Sequence, residues 1–314
     1  MAEMVVKATR ESFGEALCEL AKTNNDIVVL DADLAAATKT SIFQKAFPDR
    51  FFDCGIAEGN MIGVAAGLAA CGKIPFAASF AMFATGRAFE QIRNSVAYPQ
   101  LNVKIAGSHA GISTGEDGAT HQCIEDIALM RAIPNMTVIN PADHYEMIGA
   151  VKAAVELNGP VYIRLGRLAI ESVNNNDDYK FELGKGITLR DGNDVTIVAT
   201  GLVVREAVIA ADKLAEEGIN ARVINIHTIK PIDEDILIKA AKETGKIITF
   251  EEHNVIGGLG DAVLAAISEK CPVPVKKCGV YDRFGYSGPA KELLEIFGLT
   301  APGVVREVKA FLGK

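Results

Sequence analysis

The sequence predicts an α/β protein with two doubly wound sheets, a mostly parallel one over residues 1–170 and a smaller one over residues 191–314. Three observations lead there. Short β-branched runs, almost wholly apolar, alternate with longer amphipathic stretches in both halves, the pattern of parallel strands covered by helices on both faces. The alternation breaks over residues 171–190, where Asn174-Asn175-Asn176-Asp177-Asp178 and the pair Gly184/Gly186 make a polar, glycine-bearing linker. The chain has 314 residues, 49% hydrophobic and 23% charged, which is enough for two ordinary globular cores.

The elements follow in order. Phe13, Leu17 and Leu20 lie on one face of a first helix, and Asp26–Asp31 reads as a buried strand. Arg50–Cys54 leads into a helix of small residues over 58–71. Strand 73–77, helix 85–96 and strand 102–107 come next. A glycine loop, helix 122–132, strand 136–139, helix 143–157 and strand 161–163 complete the first half. In the second half, strand 195–199, helix 203–216, strands 221–225 and 246–250, a helix after Gly260 and strand 273–280 repeat the theme.

Composition excludes several classes of function. A net charge of −8 argues against nucleic acid as the main partner. No apolar run reaches membrane-spanning length, and no secretory leader is visible at the start. Six cysteines without C-x-x-C spacing read as reduced thiols, which predicts a cytoplasmic protein.

Some motifs mislead. Gly67–Lys73 matches G-x-x-x-x-G-K, but Ile74 stands where Ser or Thr must reach a magnesium ion, and the run ends a helix. Gly257-Gly258-Leu259-Gly260 opens a helix without the full dinucleotide fingerprint, and tight packing is its expected role. Glu251-Glu252 beside His253 lacks a further metal ligand at suitable spacing and is expected to be solvated or at an interface, so no metal site is assigned to the chain.

Two regions carry chemistry. The loop from His109 to Gln122 holds two of the five histidines, three glycines and the pair Glu116-Asp117, directly after an apolar strand. Open α/β sheets keep their ligands at the carboxyl ends of such strands. There, imidazoles and a carboxylate can bind a polyhydroxylated substrate and move its protons. The second region is Gly55–Met61, which puts Glu58 at the start of an apolar helix. In a first turn this carboxylate would complement the helix dipole, and apolar surroundings would raise its pKa so that it could share a proton with a ligand nitrogen. Phe80 and Phe83, three residues apart, suit either a core or a wall for a flat heteroaromatic ring.

Together these residues resemble the transketolase family over essentially the whole chain. The motifs are Asp31-Ala32-Asp33-Leu34, Gly55–Met61, the His109–Gln122 loop, Tyr162–Arg167, Thr228-Ile229-Lys230-Pro231 and Ala290–Gly298. The resemblance implies a pyrimidine-binding domain followed by a transketolase C-terminal domain, and dependence on thiamine diphosphate. It implies that Glu58 is the activating glutamate at N1′ of the aminopyrimidine and that Phe80 and Phe83 hold that ring. His109 would touch the donor ketose near its reacting carbons, Asp117 would read a hydroxyl, and His121 would stand where relatives carry His or Gln. Arg10 and Arg167 would clamp the sugar phosphate, a task suited to planar bidentate donors.

Two departures stand out. Ala37 occupies a position where relatives often have a phosphate-binding serine, and it is followed by Thr38, Lys39 and Thr40. The Gly-Asp-Gly…Asn motif that holds the diphosphate with Mg²⁺ or Ca²⁺ is absent. The resemblance therefore implies the C-terminal subunit of a split transketolase. A separate N-terminal subunit would carry the diphosphate domain and the metal ligands, in an α2β2 assembly acting on sugar phosphates. Two alternatives stay open: a 1-deoxyxylulose-5-phosphate synthase-like ketol-forming enzyme, and a non-catalytic scaffolding subunit.

Overall fold

The computed structural model describes residues 4–174 and 179–314; the linker residues Asn175 to Asp178 singled out above lie outside them. The first half forms strands β1 (Val6–Ala8), β2 (Ile27–Asp31), β3 (Phe51–Asp53), β4 (Ile74–Phe80), β5 (Lys104–Ser108), β6 (Thr137–Ile139), β7 (Val161–Arg164) and β8 (Ala169–Glu171). The second half adds β9 (Ile187–Arg190), β10 (Val195–Ala199), β11 (Ala221–Asn225), β12 (Thr228–Lys230), β13 (Ile247–Asn254) and β14 (Val275–Val280).

A seven-stranded sheet runs β12-β6-β7-β5-β4-β2-β3, parallel except for β12. A five-stranded sheet runs β14-β13-β10-β11-β9, parallel except for its β9 edge. β1 and β8 pair separately as an antiparallel ribbon. The second half thus lends β12 to the first sheet, a crossing that local periodicity does not reveal.

Every residue of β2 is buried, and successive side chains pack on opposite faces with the two-residue period of a strand. Ile27 and Val29 pack with Phe13, Leu17, Met147 and Val151 from the helices Thr9–Ala21 and His144–Glu156. Val28 and Leu30 pack with Met61, Ile62 and Ala65 of the helix Glu58–Ala70 on the opposite face. One apolar cluster joins these residues to Val198, Ile224 and Leu237, so the halves share a core. No helix among the described residues is long and apolar enough to cross a membrane.

Four expectations are corrected. Ile187–Arg190 forms β9 inside the stretch read as linker. The expected helix 85–96 is instead two π-helical turns, Met82–Arg87 and Ile92–Ala97, around Phe89–Gln91. There the Thr85 hydroxyl donates to the Ala81 carbonyl at 2.7 Å, competing for the acceptor that an α-helical amide would use. Helix 122–132 begins only at Asp126, because Gly111 N donates to Cys123 O at 2.7 Å and Gln122 Nε2 donates to the carbonyls of Gly115 and Tyr286.

The fourth correction concerns Glu251, Glu252 and His253, which are buried on β13 and not solvated. Glu251 accepts from the amides of Leu259 (2.6 Å) and Gly260 (2.8 Å), so the helix start at Gly258 already holds its own anion. A Cβ at Gly258 would collide with that carboxylate, which is why glycine stands there.

Candidate active site

The site lies at the carboxyl ends of β2, β4, β5 and β7. β5 ends at Ser108, and His109 follows in the left-handed region at φ +54°. Gly111, Gly115 and Gly118 also have positive φ, at +84°, +84° and +74°, so the loop can fold back over the strand end. His109 is 4% exposed, with Ser108 Oγ 2.9 Å from its Nδ1 and Arg10 Nη1 3.2 Å from its Nε2. Burial, then the Arg10 and Arg167 cations and His121, push its pKa down to about 3. The imidazole is therefore neutral at working pH.

The aromatic residues connect this loop to the helix at Glu58. Phe80 stacks on His109 with centroids 4.0 Å apart, and Phe83 lies parallel to Phe80 at 5.9 Å. His121 meets Phe83 edge-on at 5.2 Å. The Arg87 guanidinium sits 4.5 Å above Phe83, and its Nη1 reaches both Glu58 oxygens at 2.9 Å. Glu58 is 1% exposed and opens the helix Glu58–Ala70. Contacts thus run unbroken from Glu58 through Arg87, Phe83 and Phe80 to His109 and Arg10, with His121 edge-on to both phenylalanines.

The expected apolar setting of Glu58 is corrected by Arg87, whose side chain is 53% exposed and covers the carboxylate from the solvent side. A carboxylate has about four acceptor positions, and Arg87 engages two. A buried carboxylate with spare acceptor capacity beside a stacked aromatic pair fits a heteroaromatic ring bearing a nitrogen that can carry a proton.

The remaining predicted residues sit around this surface. Arg10 Nη1 donates to Ala37 O at 2.7 Å, its Nε has no hydrogen-bond partner among the described residues, and burial lowers its pKa. The hydroxyls of Thr38 and Thr40 both donate to Asp31 Oδ2, at 2.7 and 2.8 Å. They are committed to that buried carboxylate and do not stand in for the missing serine. Arg167 bonds Thr114 O and lies 2.8 Å from Glu116 Oε2. Asp117 is exposed on the loop. Sequence reasoning gave no role to Arg87, and nothing in a spacing of 29 residues signals its pairing with Glu58. Among the described residues no cluster of three metal-ligating side chains occurs.

Comparison with known proteins gives the family. Residues 6–172 match the family described as "Transketolase, pyrimidine binding domain", and residues 184–304 match "Transketolase, C-terminal domain". The chain belongs to the transketolase family. It is 51% identical to "Putative transketolase C-terminal section" of Methanocaldococcus jannaschii, over 97% of this chain and 96% of that protein. It is 48% identical to "6-deoxy-6-sulfo-D-fructose transketolase subunit SqwH" of Clostridium sp. (strain MSTE9), over 95% and 92% of the two chains. A solved "Split gene transketolase, inactive beta4 tetramer" superposes with a TM-score of 0.91 at 56% identity, covering 98% of this chain and 99% of that one. This chain is the C-terminal subunit of a split transketolase, a transferase. Transketolases depend on thiamine diphosphate.

Proposed function

We propose that the chain supplies one half of each active site in a two-chain enzyme that moves a two-carbon ketol unit from a ketose phosphate to an aldose phosphate. The observation that carries this reading is the unbroken run of contacts from Glu58 through Arg87, Phe83 and Phe80 to His109. The partner is an N-terminal transketolase subunit with the diphosphate-binding domain. It supplies the ligands for Mg²⁺ or Ca²⁺, and the two chains form an α2β2 complex in the cytoplasm.

When bound, thiamine diphosphate supplies the carbon nucleophile that opens the ketose carbon–carbon bond. Glu58 holds a proton at N1′ of the aminopyrimidine, and Phe80 and Phe83 wall the ring and exclude water. His109, neutral because burial and two arginines disfavour its charged form, exchanges hydrogen bonds with sugar hydroxyls beside the reacting carbons. Asp117 and His121 read further hydroxyls. Arg10 and Arg167 clamp the phosphate through charge-assisted hydrogen bonds. Ala37 removes one hydroxyl contact and leaves its carbonyl to orient Arg10.

Mixing the purified chain with its partner and offering xylulose 5-phosphate or pyruvate as donor, with an aldose phosphate acceptor, tests this reading. Turnover is expected with the ketose phosphate and not with pyruvate. The opposite preference would overturn it in favour of the deoxyxylulose-forming chemistry.

A further inference from the structure

The adjacent carboxylates of β13 leave the strand on opposite faces, as its two-residue period requires. Glu251 closes the N-terminus of the helix Leu259–Ser268. Glu252, 3% exposed, reaches the other way into the His109 loop, where its Oε1 accepts the Ser113 amide at 2.5 Å. Its carboxyl group lies so close to Gly111 that a Cβ there would collide with it. Gly111 is two residues from His109.

The same turn is tied internally, since Thr114 Oγ1 donates to His109 O (2.6 Å) and Gly111 O (3.0 Å). Beneath it, Arg164 fixes β13 at the level of Glu252. Its Nη2 donates to Glu252 O at 2.9 Å, while Nε and Nη2 hold Asp126 at 2.7 and 3.2 Å. Glycines leave a loop many conformations. In this one the segment that carries His109 is pinned by a carboxylate from the C-terminal domain.

We infer that Glu252 is a positioning residue for donor recognition, through which the C-terminal domain keeps His109 against Phe80 and Arg10. The inference rests on His109 as a sugar contact. It depends on reach and not on charge alone, because what matters is an oxygen at the Ser113 amide. Glu252→Asp keeps the charge beside Arg164 but withdraws that oxygen by one methylene, whereas Glu252→Gln keeps an oxygen of the same reach without the charge.

The test uses the reconstituted complex, with separate KM values for ketose donor and aldose acceptor, kcat, and hydrogen exchange at the amides of 110–114. Glu252→Asp and Glu252→Leu are expected to raise donor KM about two- to tenfold, the loss of one ordinary hydrogen bond. Ser113 exchange should accelerate while acceptor KM and assembly hold. Glu252→Gln should stay close to the parent. If Glu252→Leu does not assemble, the Asp and Gln pair decides. An unchanged donor KM in Glu252→Asp, or equal damage to all kinetic constants in Asp and Gln alike, would overturn the inference. A His109→Ala complex with unaltered donor KM would instead strike the underlying site reading.

Discussion

Glu58 and Glu251 both set a buried carboxylate at the N-terminus of a helix, one in each half of the chain. Glu58 is the first residue of Glu58–Ala70 and, among the described residues, takes its hydrogen bonds from Arg87, whose side chain is half exposed. Glu251 lies outside its helix and accepts two of the helix's own amides, at 2.6 and 2.8 Å, with His253 alongside. Burial pushes Glu251 up to about 7, against the pull of those amides. The two share depth, helix setting and the number of bonds they accept, but differ in what satisfies them. Glu251 is held by main-chain amides of the helix it closes, while Glu58 is held by one side chain that is half exposed. Burial of a carboxylate alone therefore does not separate the two; the kind of partner does.

The sharpest way to break this contrast is a paired substitution in the assembled enzyme. Glu58→Gln is expected to lower kcat by at least about 10²-fold, the scale of a lost proton-transfer group, with the unfolding midpoint unchanged. Glu251→Leu strands two amides at a cost of about 1–3 kcal/mol, so the unfolding midpoint falls while kcat per folded complex holds. Steady-state kinetics beside thermal denaturation separates the two, and a kcat loss in both variants would erase the distinction.

A second prediction sharpens it at the loop. Arg167→Ala removes a charge-assisted donor worth about 1.5–3 kcal/mol, so donor KM should rise ten- to a hundredfold for ketose phosphates and little for unphosphorylated ketoses. Equal effects on both donors would place Arg167 outside the phosphate clamp.

A third prediction concerns Glu146, a buried carboxyl that accepts from Asn225 Nδ2 (2.8 Å) and Tyr179 (3.2 Å) and so joins the halves. Burial, with Asp143 adding repulsion, raises it from 4.5 to about 8. Between those values the folded chain keeps a proton that the unfolded chain releases. Its contribution to stability is thus full below about 4.5 and is lost as pH rises through 8, with a slope of at most ~1.4 kcal/mol per unit. Urea midpoints from pH 5 to 9 should show that decline, and Glu146→Gln should flatten it.

Much of this was legible in the sequence, and the misses have physical causes. Strands β2 and β10 announce themselves because both faces are buried, leaving nearly continuous apolar runs. β9 and β12 do not, since each is a short edge strand whose pairing is decided by distant residues. Motifs that resemble a known family pick out Glu58, Phe80, Phe83 and His109, and the fold brings these four together through Arg87. Arg87 and Glu252 were not legible in this way, because their roles come from contacts across 29 and 139 residues. The glutamate pair on β13 looked polar and therefore exposed. Its burial is made possible by amides of Ser113, Leu259 and Gly260 that only the folded chain brings near.

The most direct measurement is a titration of this chain with its diphosphate-domain partner, following ketol transfer and complex mass together. Activity should be absent from either chain alone, rise on mixing and saturate at one copy of each, as the α2β2 species forms. Robust transketolase turnover by this polypeptide without any second protein would contradict the account.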